Sequence, residues 1–247
     1  DDLCLLLPHL KKESKFDTKQ GLFALNELAD LEGCTHCLFF EPKKPQELFL
    51  WASKAPGGPS VRFHVQNIHT LDELHMRGNC MKNTRAILSF DASFEASEEG
   101  LLMKDLLSDI FNVPESHRKT KPYFDHIYQF TMLDGRIWFR NYQIVPAEES
   151  KGQTAEKSVT PQISQDGLSL VEIGPRFVLH PVRAFQGSFG GKTIYLNPNF
   201  TPASVIRSQI KQGIAAQHHR RQDASTKASI RKQESSLPKN ELEQVFE

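Results

Sequence analysis

The stretch IYQFTMLDGRIWFRNYQIV, residues 127–145, decides the fold class. Two runs rich in β-branched and aromatic residues, 127–133 and 136–145, flank Asp134-Gly135, a pair that tolerates the positive φ angles of a tight hairpin turn. An antiparallel hairpin is expected, and the neighbouring elements have to pack on it.

On its N-terminal side, Ser97 is positioned to cap a helix whose apolar residues Leu102, Met103, Leu106, Leu107, Ile110 and Phe111 form one stripe ending before Pro114. A stripe at that spacing is core, not a cofactor site. Thr70-Leu71-Asp72-Glu73 has capping-box spacing and opens a shorter helix, with Gly78 placed to close it. Further upstream, Val61, Phe63 and Val65 alternate with Arg62, His64 and Gln66 as in a half-buried strand, and two short β-rich runs occupy 37–40 and 48–51. Pro56-Gly57-Gly58-Pro59 supplies a turn, and Leu22, Leu25, Leu28 and Leu31 suggest a short helix.

Beyond the hairpin, residues 146–166 are polar, with too few large apolar groups to offset the entropy of ordering, and read as a mobile insertion. Strands resume over 168–185. Thr201-Pro202 reads as an N-cap and first-turn proline opening a long basic helix, with Ile206, Ile210 and Ile214 on one face. The result is an α/β (α+β) chain in two similar halves. Its expected parts are a basic N-terminal segment (1–32), a domain over 33–200 with halves at about 33–115 and 120–200, and a basic C-terminal helix and tail (201–247).

Composition narrows the function. The chain has 247 residues, 38% of them hydrophobic, enough for a substantial core. It begins at Asp1 without a methionine and so reads as part of something longer. No apolar run approaches the roughly 18 residues of a membrane span, and four cysteines make no disulfide framework, so an intracellular protein with no membrane partner is expected. Thirty basic and thirty acidic residues cancel, yet residues 203–234 carry seven basic side chains against Asp223 and Glu234.

Two motifs invite a catalytic reading and do not support it. Gly187-Ser188-Phe189-Gly190-Gly191-Lys192-Thr193 resembles a phosphate loop, but its first glycine is one residue too close, and Ile194-Tyr195-Leu196-Asn197-Pro198 is no helix start. A glycine-rich turn between strands is the better reading. Cys34-Thr35-His36-Cys37 has zinc-ligand spacing but no second pair; Cys80 with His64, His69 or His75 completes a site only if the fold gathers them, and ordinary thiols are preferred. No nucleophile elbow or zinc-protease helix is present, so no cofactor, metal or catalytic residue is expected.

Nucleic-acid binding has more support. Basic side chains sit near aromatics in Arg136-Ile137-Trp138-Phe139-Arg140-Asn141-Tyr142 and Arg176-Phe177, and basic clusters fall at 11–19, 117–121 and the C-terminal tract. The aromatics stack on unpaired bases in one reading and are core in the other; periodicity leaves both open.

Five strings carry a family resemblance: GPSVRFHVQNIHTLDEL (58–74), ILSFD (87–91), RIWFRNYQI (136–144), EIGPRFVLHP (172–181) and FQGSFGGKTIYLNP (185–198). Together they resemble the Brix-domain proteins of ribosome biogenesis, over about residues 3–212. The resemblance implies a two-half α/β fold, each half a mixed sheet with packed helices like the anticodon-binding domains of tRNA ligases. It further implies a non-enzymatic assembly factor for the large ribosomal subunit, located in the nucleolus of the nucleus. The implied partners are pre-ribosomal RNA, an EBNA-binding-type nucleolar assembly factor, other large-subunit assembly factors and ribosomal proteins. The family's Gly-Pro-Arg signature matches Gly174, Pro175 and Arg176, so the resemblance carries any RNA role of that arginine over to Arg176 alone. His180, where an asparagine is more usual, and the insertion at 146–166 depart from the pattern.

The residues expected to contact RNA are Lys11, Lys12, Lys15, Arg62, Arg118, Lys119, Lys121, Arg140, Arg176, Arg183, Lys192, Arg207, Lys211, Arg220 and Arg221. A scaffold that binds only protein, and reaches RNA indirectly, is the alternative.

Overall fold

The computed structural model describes residues 1–13, 16, 21–43, 47–76, 78–79, 83–115, 117–118, 120–146 and 168–235. The expected insertion at 146–166 lies, apart from Pro146, outside them. The chain divides into two compact units, Asp1–Pro198 and Asn199–Glu247.

The first unit is a nine-stranded mixed sheet. Strands β1 (His36–Lys43), β2 (Glu47–Lys54) and β3 (Ser60–His69) form an antiparallel meander. β3 then pairs with β8 (Arg176–Gly187), and β8 pairs through Phe177–Leu179 with β6 (Arg136–Pro146), which joins the strands of both expected halves into one sheet. β5 (Phe124–Leu133) is antiparallel to β6 and parallel to β4 (Arg85–Phe90). β7 (Leu168–Glu172) extends along β6, and β9 (Gly190–Leu196) along β8.

The β5–β6 hairpin closes as its sequence requires. Leu133 pairs with Arg136, and Asp134 (φ 53°) and Gly135 (φ 67°) both take the left-handed conformation of a type I′ turn. Four short helices accompany the sheet: α1 (Asp2–Leu6), α2 (Ala24–Leu31), α3 (Leu71–Leu74) and α4 (Glu98–Phe111). Ser97 Oγ accepts from Gly100 N–H at 3.1 Å and starts α4. Thr70 Oγ1 accepts from Glu73 N–H and starts α3, but α3 closes at His75 (φ 42°) after a single turn, well before Gly78.

α4 lays Met103, Leu106, Leu107, Ile110 and Phe111 on one face of the sheet, against Phe63, Phe130, Ile137 and Leu179. Each such burial contributes about 1.5–3 kcal/mol. Aromatic rings run across this core, with Phe90 stacked on Phe130 at 4.8 Å and Phe139 on Phe177 at 4.5 Å. Leu6 and Leu7, ahead of the expected boundary at 33, belong to the same cluster, and Tyr128 Oη holds the segment by donating to Leu6 O at 3.0 Å. A smaller cluster on the β1–β2 part of the sheet unites Leu25 of α2 with Trp51 and Phe189.

The second unit is dominated by α5 (Ala203–Glu234), 32 residues and therefore about 48 Å of helix. Pro202 itself occupies the N-cap with no side-chain cap bond, one residue later than the expected Thr201 cap. Ile206, Ile210 and Ile214 are 44%, 56% and 62% exposed, and no residue of the helix is buried.

Candidate nucleic-acid interface

The glycine-rich stretch is a β-turn sealed from solvent. Gly187 pairs with Gly190, and Ser188 and Phe189 make the turn, Phe189 at φ 57°. Both are only 4% exposed. Ser188 Oγ lies 2.6 Å from Ser53 Oγ and also bonds Asn26, while Ser60 Oγ donates to Gly187 O at 2.7 Å. A side chain at Gly58 would collide with Gln186 O at 2.4 Å, so the 56–59 turn presses directly on this corner. Lys192 leaves the turn and is exposed on β9.

The Cys34–Cys37 pair also takes a structural role. Burial and the neighbouring Cys34 push the Cys37 thiol up to about 11, so it carries no thiolate at neutral pH. Among the described residues, no group of three His, Cys, Asp or Glu side chains could hold a metal ion.

The candidate RNA contacts separate into three sets. In the first, cations meet carboxylates. Arg62 Nη2 sits 2.9 Å from Glu41 Oε2, with its guanidinium carbon 4.0 Å above the Phe49 ring centre and 5.4 Å from that of Trp51. Glu41 also accepts from Trp51 Nε1 at 3.0 Å. Arg140 and Arg176 share Glu172 at 3.4 and 3.0 Å. Lys11 pairs with Glu32 at 3.5 Å, and Lys12 with Asp1.

The signature Gly174-Pro175-Arg176 forms the corner between β7 and β8. Gly174 has φ 86°, and Asn141, fully buried, donates to its carbonyl at 3.0 Å. Phe139 and Phe177 are core, so for these two rings the packing reading holds. His64 and His180 face each other across β3 and β8. Burial, reinforced by Arg62 for His64 and by Arg136 for His180, holds both below the usual imidazole range, so neither adds positive charge at neutral pH.

The second set has no ion-pair partner among the described residues: Arg118, Lys121, Arg183 and Lys192 on the sheet unit, and Lys211, Arg220 and Arg221 on α5. All seven are exposed. Arg207 donates to Ala203 O at 3.1 Å. The third set, Lys15 and Lys119, lies outside the described residues.

Two sequence-distant basic clusters meet. Pro8–Lys11 and Pro114, His117 and Arg118 line a pocket of about 470 Å³. Arg85 pins its rim by donating to Glu115 O at 2.6 Å and Pro114 O at 3.2 Å. The histidines had no signal in the sequence beyond proximity to lysines and arginines; their meeting depends on the docking of 1–11 against α4.

No helix among the described residues is long and apolar enough to cross a membrane. The Brix domain profile matches residues 1–183. The chain is 44% identical over 241 residues to the ribosome biogenesis protein BRX1 of Saccharomyces cerevisiae, covering 98% of this chain and 80% of that protein. It is 40% identical over 246 residues to ribosome biogenesis protein brx1 of Schizosaccharomyces pombe, covering 100% and 79%. With the human BRX1 homolog it shares 42% over 247 residues, 99% of this chain but 65% of that protein.

Proposed function

The chain belongs to the Brix domain family, and from that premise we propose that it is a non-enzymatic assembly factor of the large ribosomal subunit that binds pre-ribosomal RNA in early nucleolar precursors. The observation that carries this reading is the 40–44% identity, over nearly the whole chain, to relatives named ribosome biogenesis proteins. An EBNA-binding-type nucleolar factor is the proposed protein partner, alongside other assembly factors and ribosomal proteins. Nucleolar and nuclear residence follows from that role.

Exposed cations without carboxylate partners support direct RNA contact. Arg118, Lys121, Arg183 and Lys192 on the sheet unit, with Lys211, Arg220 and Arg221 on α5, are available to neutralise phosphates and release counterions. The affinity of the purified chain for structured RNA then falls steeply as salt rises from low to physiological strength. Binding indifferent to salt removes the RNA clause.

A second reading, a scaffold that touches only protein, has its own support. Five candidate cations already have a carboxylate, and two candidate stacking rings are core. Crosslinking the isolated protein to RNA separates the two, since this reading allows crosslinks only when the protein partner is present.

A further inference from the structure

Resting on the RNA-binding reading, we infer that the pocket between Pro8–Lys11 and Pro114, His117 and Arg118 receives a single unpaired nucleotide of an RNA strand, its base against the imidazoles and its phosphate on Arg118. At about 470 Å³ the space falls within the range of about 300–1,000 Å³ that small-molecule-sized groups fill. Its walls suit a flat anion. His9 and His117 stand edge-to-face at 6.4 Å with 77° between their planes, and Pro8, Leu10 and Pro114 supply apolar surface. Arg118 is the lining cation with no ion-pair partner among the described residues, whereas Lys11 is held by Glu32 at 3.5 Å.

The walls are fixed before any ligand arrives. His9 Nε2–H donates to Ile110 O at 3.0 Å, which sets its tautomer, and His117 Nδ1 lies 3.1 Å from Thr120 Oγ1. Lys121 N–H donates to Asn83 O at 2.7 Å and anchors the far end of the loop. Burial, only partly opposed by the Ile110 hydrogen bond and reinforced by His117, keeps His9 below its usual range, so it presents a neutral aromatic ring. Preorganised rings stack a base with little ordering cost, and imidazoles are among the side chains on which splayed-out RNA bases stack. A paired base cannot enter, because its plane is enclosed in the duplex stack. Exposed Lys121, three residues past Arg118 in the chain and without an ion-pair partner among the described residues, is available to another phosphate of the same strand.

The test compares the full chain and three variants for binding a labelled single-stranded RNA and the same sequence annealed as a duplex, at one salt concentration. His117→Ala weakens single-strand binding by about tenfold and leaves the duplex nearly untouched, Arg118→Ala weakens both but the single strand more, and His117→Phe restores the stacking loss. Excess adenosine monophosphate leaves the single-strand complex in place; displacement by it assigns the pocket to free nucleotide and overturns the inference. Unchanged single-strand binding in both alanine variants, or equal losses on both RNAs, also overturns it while leaving general RNA binding standing. Failure of the unaltered chain to bind either RNA sinks the RNA-binding reading itself.

Discussion

The sheet unit and α5 both carry basic side chains, and they deploy them differently. Within Asp1–Pro198 five candidate cations are tied, Arg62 to Glu41, Arg140 and Arg176 to Glu172, Lys11 to Glu32 and Lys12 to Asp1, while Arg118, Lys121, Arg183 and Lys192 have no ion-pair partner among the described residues. On α5, Lys211, Arg220, Arg221, Lys227, Arg231 and Lys232 have no ion-pair partner among the described residues. The helix holds seven basic and two acidic residues in a chain whose total charge is zero, so the remainder carries a formal −5. Charge in the first unit is therefore divided between ion pairs of the fold and exposed cations, while on α5 the charge from Lys211 onward is left available to a polyanion. The apolar residues divide the same way: buried rings in the sheet, exposed isoleucines on the helix.

The largest effect expected from this contrast is in the core. Phe130 is fully buried between Phe90, Phe111 and Phe139, and Phe130→Ala costs about 3–5 kcal/mol from lost transfer energy and the cavity left behind. Ile210→Ala on α5, at a side chain 56% exposed, changes stability by no more than about 0.5 kcal/mol. Urea unfolding reads both: the midpoint falls sharply for the first with little change in slope, and hardly moves for the second. Comparable losses at the two positions break the contrast.

Charge neutralisation sharpens it next. Changing Lys211, Arg220 and Arg221 together to glutamine lowers the slope of log affinity for RNA against log salt by about 0.7–0.9 for each phosphate that is no longer neutralised. Changing Arg62, Arg140 and Arg176 together to methionine leaves that slope nearly unchanged. It weakens the fold instead, Arg62→Met alone by about 1–3 kcal/mol, because half-buried Glu41 loses its closest cation. A salt slope that falls equally in both triple variants shows that the ion pairs of the sheet open to bind RNA.

Local features were readable from sequence because their causes are local. Asp134-Gly135 fixes its hairpin through backbone conformation, Ser97 caps α4 through one side-chain bond, and the stripe from Met103 to Phe111 records burial at helical spacing. The glycine-rich stretch at 187–193 was legible for the same reason: β-favouring residues follow it where a phosphate loop needs a helix. What escaped reading depends on pairings distant in the chain. β3 meets β8 across more than a hundred residues, and nothing in either strand names its partner. Whether an arginine is tied or available likewise depends on a carboxylate elsewhere, as with Glu41 for Arg62, so the fifteen candidates looked alike until the strands were in register. His75 closing α3 in place of Gly78 is a smaller case, in which a one-turn helix ended before the glycine was reached.

The smallest expected effect tests how the sheet unit uses its charge. Burial alone would raise the Glu41 carboxyl, but the hydrogen bond from Trp51 and the charges of Arg62 and Lys43 outweigh it and hold the group below the ordinary carboxylate range. A carboxyl depressed in the folded state contributes stability that is fully present above its unfolded value of about 4.3 and is lost as pH falls through the folded value. Glu41→Gln still offers an acceptor to the indole but no charge, so the variant is less stable than the parent at pH 7. Lowering the pH protonates Glu41 in the parent, and the difference between the two urea midpoints begins to narrow below about pH 4.3 and closes once the pH is below the depressed folded value. Arg62→Met should remove much of the same pH dependence, since the guanidinium is the closest cation to the carboxylate. A gap between parent and Glu41→Gln that is constant from pH 7 down to acid would mean that the ion pair adds nothing to the sheet, and the division between tied and available charge would then rest on α5 alone.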